Sequence, residues 1–205
     1  METKKKTRRE RQAEQLRKEI LEAAITVFKQ NGYEKATTKK IAKEADVSEG
    51  TLYYYFENKR DILITLFKIL IENITANLNK VPTASNEDLS KLLSKGMAHQ
   101  YKQINYLSIL TLFLHEARID PEVKEIFSGM MSYVRESAAN LFKQLEKDGK
   151  IRKMNHETMA ILMSIIGIGY MTLFETGDSD LTKIPLKKLT DEISVILVNG
   201  VKPVS

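Results

Sequence analysis

Residues 32–63 read GYEKATTKKIAKEADVSEGTLYYYFENKRDIL, and the fold turns on this stretch. Thr37 and Thr38 supply hydroxyls that cap a short helix, with Ile41, Ala42 and Ala45 at the spacing of one inward face. Asp46-Val47 breaks it after about two turns, Asp being a residue that tolerates left-handed backbone. Ser48 caps a second short helix that holds Leu52, Tyr55 and Phe56 on its inner side. Two helices this short bury too little surface to stand alone, so they require neighbouring helices as a platform. A pair of short helices joined by a tight break is the pattern of a helix-turn-helix.

Working outward, the platform is present on both sides. Upstream, from near Glu10, Leu16, Ile20, Ala23, Ala24, Val27 and Phe28 recur at three- and four-residue steps until Asn31-Gly32, where Gly32 suits the left-handed residue that closes a helix. Downstream, Asn58 opens a helix with Asp61 near its positive end and an apolar stripe from Ile62 to Leu78. After the break at Val81–Asn86, helical patterns follow at about 87–102 and 104–118. Asp120-Pro121 starts a helix that reaches Asp148-Gly149; Asn155 opens another to Thr176-Gly177, and a last one covers 186–199. The expectation is an all-α protein of nine helices in two domains. Its parts are a disordered basic arm at 1–9, a helix-turn-helix domain at 10–60 and a helical body at 61–205, with helix 58–80 joining the last two.

Composition narrows the function. The 205 residues include no Cys, which removes disulfides, thiolate metal sites and cysteine nucleophiles, and only three His. Neither a phosphate-binding glycine loop nor a Gly-x-Ser-x-Gly turn is present, so an enzyme is not expected, and neither a cofactor nor a metal is expected. The net charge of +5 is uneven: residues 1–60 carry 15 Lys and Arg against 10 Asp and Glu, and residues 61–205 carry 17 against 17. A basic head on a neutral body points to a polyanion. The N-terminus, METKKKTRRE, lacks an apolar stretch, so a cytoplasmic protein is expected. Residues 158–174 carry no charge, but they lack basic or aromatic anchors. They are expected to form a helix packed between its own core and a partner subunit, with no membrane as partner.

The second short helix offers small and hydroxyl residues at its start, then phenols, and each type has a use at duplex DNA. Backbone N–H groups attract phosphate, Gly50 permits close approach, and hydroxyls bond phosphates or base edges. With these residues in view, the segment from about 16 to 65 resembles the DNA-binding region of the TetR family of transcriptional regulators. Gly32-Tyr33, Ala36-Thr37, Ile41-Ala42, Ala45 to Gly50, Leu52 to Phe56, and Lys59 with Ile62-Leu63 carry the likeness. The resemblance implies a homodimeric, all-helical repressor that binds a palindromic operator and leaves it when a small ligand enters the C-terminal domain. By the same resemblance the DNA-facing residues are Thr38, Ser48, Glu49, Gly50, Thr51, Tyr53, Tyr54, Tyr55 and Lys59, with Lys39 beside them. Two positions depart from the family's pattern: Asp46 stands where Gly is frequent, and Glu49 where Lys is frequent, a carboxylate that suits only a cytosine amino group.

In the body, isolated polar groups among apolar helices and a run of methionines suggest a pocket for a small hydrophobic effector. Candidate ligand contacts are His99, Tyr106, His115, Arg118, Tyr133, Met163 and Tyr170. The expected dimer surface is built from the last two helices, with Leu162, Ile166, Gly167, Gly169, Ile193 and Leu197, paired as a four-helix bundle. The competing reading is a nonspecific or architectural DNA-binding protein without ligand control.

Overall fold

The computed structural model describes residues 7–81, 91, 104–175, 183 and 186–201; of Tyr106, Tyr170 and Leu197 it describes the backbone alone. The protein is all-helical, and eight helices lie among the described residues. The helix expected at 87–102 lies outside them except for residue 91. Two compact units are formed, one ending at Phe67 and the other beginning at Lys68.

The first unit opens with α1 (Arg8–Lys35). It starts earlier than the apolar pattern suggests because Thr7 and Glu10 form a capping box. The Glu10 amide donates to Thr7 Oγ1 at 3.2 Å and the Thr7 amide donates to Glu10 Oε2 at 2.7 Å. Arg8 and Arg9 therefore sit on a helix, at the end of the stretch 1–9 expected as a disordered arm. Gly32 breaks the helix at φ 71° and ψ 160°, a conformation that glycine alone adopts without strain, and one further turn follows. α2 (Thr38–Glu44) and α3 (Glu49–Tyr55) come next. Ile20, Ala24, Phe28, Ile41, Leu52 and Phe56 are almost wholly buried. α4 (Lys59–Asn79) is held at its start by two side-chain acceptors: the Asp61 amide donates to Asn58 Oδ1 at 2.9 Å and the Glu57 amide donates to Asp61 Oδ2 at 3.2 Å.

The second unit contains the end of α4 and the remaining helices, α5 (Ile104–Ile119), α6 (Pro121–Lys147), α7 (His156–Glu175) and α8 (Leu186–Val201). Asp120 caps α6 by accepting from the amides of Glu122 and Val123. At the other end Gly149, at φ 69°, lets the Lys150 amide return to the Leu145 carbonyl. α5 and α6 meet through stacked Phe113 and Phe127, and α6 packs on α7 around Leu141, Phe142, Leu145, Ile151 and Ala160. No helix among the described residues is long and apolar enough to cross a membrane.

Candidate nucleic-acid interface

The turn between α2 and α3 closes on three backbone bonds, the amides of Ala45, Asp46 and Val47 donating to the carbonyls of Ile41, Lys43 and Ala42. Asp46 has φ 55°, the left-handed value that its short polar side chain tolerates. The next helix begins on Ser48, whose Oγ accepts from the Thr51 amide at 3.0 Å and lies 2.8 Å from Thr51 Oγ1. α3 then divides cleanly. Leu52 is sealed, Tyr55 is half-buried, and Ser48, Glu49, Gly50, Tyr53 and Tyr54 face solvent. Tyr54 is 82% exposed, although its ring makes an edge contact with Tyr55 at 5.1 Å. An 82% exposed tyrosine contributes little to folding, so its ring and hydroxyl are available to a partner.

Two helices present one surface because they are tied across their gap. Thr38 Oγ1, near the start of α2, lies 3.0 Å from Tyr53 Oη, so Thr38 orients Tyr53 as well as lining the surface. Lys39 and Lys43, one turn apart on α2, are exposed and line a shallow groove with Glu49 and Asp46. The surface thus joins a helix start, phenols, hydroxyls and two cations, the groups that bind phosphates and base edges.

Lys59 is placed differently from its neighbours. Its Nζ donates to the Tyr33 carbonyl at 2.8 Å and lies 4.2 Å from the centre of the Tyr33 ring. Its charge sits on the last carbonyls of α1, where a cation is favoured by the helix dipole. Lys40 acts alike, donating to Asn31 Oδ1 at 2.7 Å and to the Lys35 carbonyl at 3.1 Å. Sequence reasoning missed Lys40 as a tie, and it missed Arg17, whose guanidinium covers the Phe56 ring at 5.1 Å. Neither contact leaves a local sequence signal, since each joins residues of different helices or helix caps that meet only in the folded unit.

In the second unit, a partly open cavity of about 130 Å³ lies between helices. Ile71, Ile74 and Leu78 of α4 and Leu110 of α5 form part of its wall; Met131, Val134 and Ala138 come from α6, and α7 contributes Ala160, Met163, Ser164, Gly167 and Ile168. Among the described residues Ser164 is the one polar side chain in this lining, and its hydroxyl already donates to the Ala160 carbonyl at 2.9 Å.

Comparison with known proteins matches residues 20–66 to "Bacterial regulatory proteins, tetR family". Over 142 residues the chain is 30% identical to the transcriptional regulator PksA of Bacillus subtilis, covering 64% of this chain and 68% of that one. It belongs to the tetR family. This TetR-family transcriptional regulator is also 34% identical over 120 residues to the fatty acid metabolism regulator protein of Bacillus subtilis. That match spans 56% of this chain and 61% of the relative's length, less than two thirds of it. Among solved structures, the transcriptional regulator FadR from Bacillus subtilis, in complex with stearoyl-CoA, superposes with a TM-score of 0.72 at 24% identity. The superposition covers 89% of this chain and 97% of that one, so the likeness is one of fold.

Of the expected effector contacts of the TetR-family chain, the four with described side chains do not share one place. Met163 lines the cavity, whereas His115, Arg118 and Tyr133 are exposed and lie outside its lining. His99 and the side chains of Tyr106 and Tyr170 lie outside the described residues. On α7, Leu162 and Ile166 face outward with Ile161, Ile165 and Leu173, while Gly167 belongs to the cavity wall and Gly169 is half-buried. On α8, Val195 and Ile196 are exposed, Ile193 is half-buried and Ser194 is buried, and the Leu197 side chain lies outside the described residues.

Proposed function

We propose that this regulator is a cytoplasmic repressor that binds a palindromic operator as a homodimer and is released by a small hydrophobic ligand. In this reading residues 10–60 bind DNA, and residues 61–205 bind the ligand and pair with a second copy. The observation that carries it is the outward half of α3: Ser48, Glu49, Gly50, Tyr53 and Tyr54 face solvent beside Lys39 and Lys43. A helix start with small residues fits into a major groove, and flanking lysines meet the phosphates on either side.

Two further observations support the finer parts. Ile161, Leu162, Ile165, Ile166 and Leu173 make an apolar stripe on α7, and Val195 and Ile196 expose more on α8; Ile165 is 60% and Ile196 69% exposed. A second copy related by a two-fold axis covers such a stripe and sets two α3 helices one turn of DNA apart, about 34–36 Å. The cavity is lined almost wholly by apolar groups, which suits a hydrophobic effector, and the stearoyl-CoA bound by FadR makes acyl thioesters the first class to try. A ligand acts only through a preference for the conformer that no longer matches DNA. α4 is the element for this coupling, because its chain runs from the first unit to the cavity wall.

The test is a binding selection on genomic fragments with the purified protein, followed by anisotropy titration of the recovered sites with and without stearoyl-CoA. Discrimination of more than about tenfold over random DNA, with two half-sites about one turn apart, is the expected outcome. Discrimination below that favours the nonspecific reading.

A further inference from the structure

The cavity carries more information than its location. We infer that it admits an uncharged alkyl or aryl hydrocarbon group of about six carbons, and that Gly167 sets the size limit. On α7 the cavity-lining residues fall at 160, 163, 164, 167 and 168, one face of a helix, and Gly167 lies within that face. A Cβ placed on Gly167 meets nothing within 4 Å, so open space adjoins this residue of the cavity wall and a side chain there has room to project. Every larger residue at 167 subtracts its volume from the site.

Size and chemistry follow from the walls. The volume, about 130 Å³, is close to that of cavities of roughly 150 Å³ that take up a single benzene ring. Ser164 has committed its hydroxyl proton to Ala160, so the lining offers a charged or strongly polar group little in exchange for its water. Because the cavity is partly open, a chain end can enter while its head stays in solvent.

The inference deepens the effector reading and is tested by direct binding, so the two fail separately. Isothermal titration uses toluene, its charged near-isostere N-methylpyridinium, and n-decanol as a chain with a polar head. Toluene is expected to bind at least a hundredfold more tightly than N-methylpyridinium. Gly167→Leu weakens toluene at least tenfold, Gly167→Ala falls between, and Met163→Ala added to Gly167→Leu restores binding by returning volume. Replacing glycine inside a helix favours the helix, which keeps the Ala variant folded and decisive if the Leu variant is not. Binding of n-decanol with the same dependence on residue 167 identifies a chain end as the natural occupant; toluene alone identifies a free ring. Equal toluene affinity in the parent protein and a folded Gly167→Leu, or equal affinity for the charged isostere, overturns the inference. Loss of operator recognition with these results intact removes the repressor reading and leaves the cavity assignment standing.

Discussion

Leu52 and Tyr54 stand two residues apart on α3, and their replacement should separate folding from recognition. Leu52 is fully buried, and its truncation to Ala costs about 2–5 kcal/mol for a core leucine. α3 has seven residues, too few to be stable without tertiary packing, so little relaxation offsets the loss and about 3 kcal/mol is expected. For a unit of this size each kcal/mol moves the melting temperature by roughly 4–8 °C, which puts Leu52→Ala about 12–24 °C below the parent. Tyr54→Phe keeps the edge contact with Tyr55 and removes only an exposed hydroxyl, so stability should change by less than about 0.5 kcal/mol. If that hydroxyl meets a phosphate, its loss costs about 1.5–3 kcal/mol of binding, or roughly 10- to 150-fold in Kd. Calorimetry and anisotropy on a selected operator read the two quantities independently. A Tyr54→Phe protein that melts early, or that binds the operator as tightly as the parent, refutes the assignment of the two faces of α3; so does a Leu52→Ala protein that melts within about 4 °C of the parent.

Other perturbations test the supports of the same surface. Ser48→Ala removes the side-chain acceptor of the Thr51 amide and should cost about 1 kcal/mol, with Ser48→Asp recovering most of it in thermal unfolding. Deleting residues 1–6, which hold Lys4, Lys5 and Lys6, should leave the Thr7 cap of α1 intact and lower the slope of log Kd against log salt by up to about three; an unchanged slope shows that these lysines do not touch phosphate. A hydrogen bond from His156 Nε2, at 2.8 Å, chiefly holds the Glu146 carboxyl below its ordinary range against the opposing effect of desolvation, and the Met154 amide adds to it. The unfolded chain therefore binds the Glu146 proton more readily than the folded one. The pair's contribution is present above the ordinary carboxylate pKa and is lost as pH falls through the lowered one. Glu146→Gln should accordingly flatten the acid limb of a melting-temperature profile, and a limb of unchanged steepness excludes the pair as its cause.

The helix-turn-helix was legible because its signals are local. Thr37, Ser48 and Asn58 are caps, Gly32 and Asp46 occupy the positions where φ is positive, and Ile41, Leu52 and Phe56 recur at the spacing that buries them. The same local logic marked Asp120-Pro121 and Gly149 as the two ends of α6. It also missed the start of α1 by two residues: apolar periodicity begins later than the Thr7–Glu10 capping box, which is polar and leaves no apolar mark.

Sequence thus determined the caps and breaks of the helix-turn-helix, the two ends of α6 and which short helix carries the exposed phenols, since each of those properties depends on neighbours within a turn or two. It could not decide which way α7 faces, because residues 158–174 are uncharged on every side and give helical periodicity nothing to distinguish. Packing against α6 made the choice, turning Met163, Ser164 and Gly167 toward the cavity and leaving Leu162, Ile165 and Ile166 in solvent. Tertiary structure likewise drew Lys59 onto the end of α1 and Thr38 onto Tyr53, since bonds between residues 26 and 15 positions apart exist only once the helices have met.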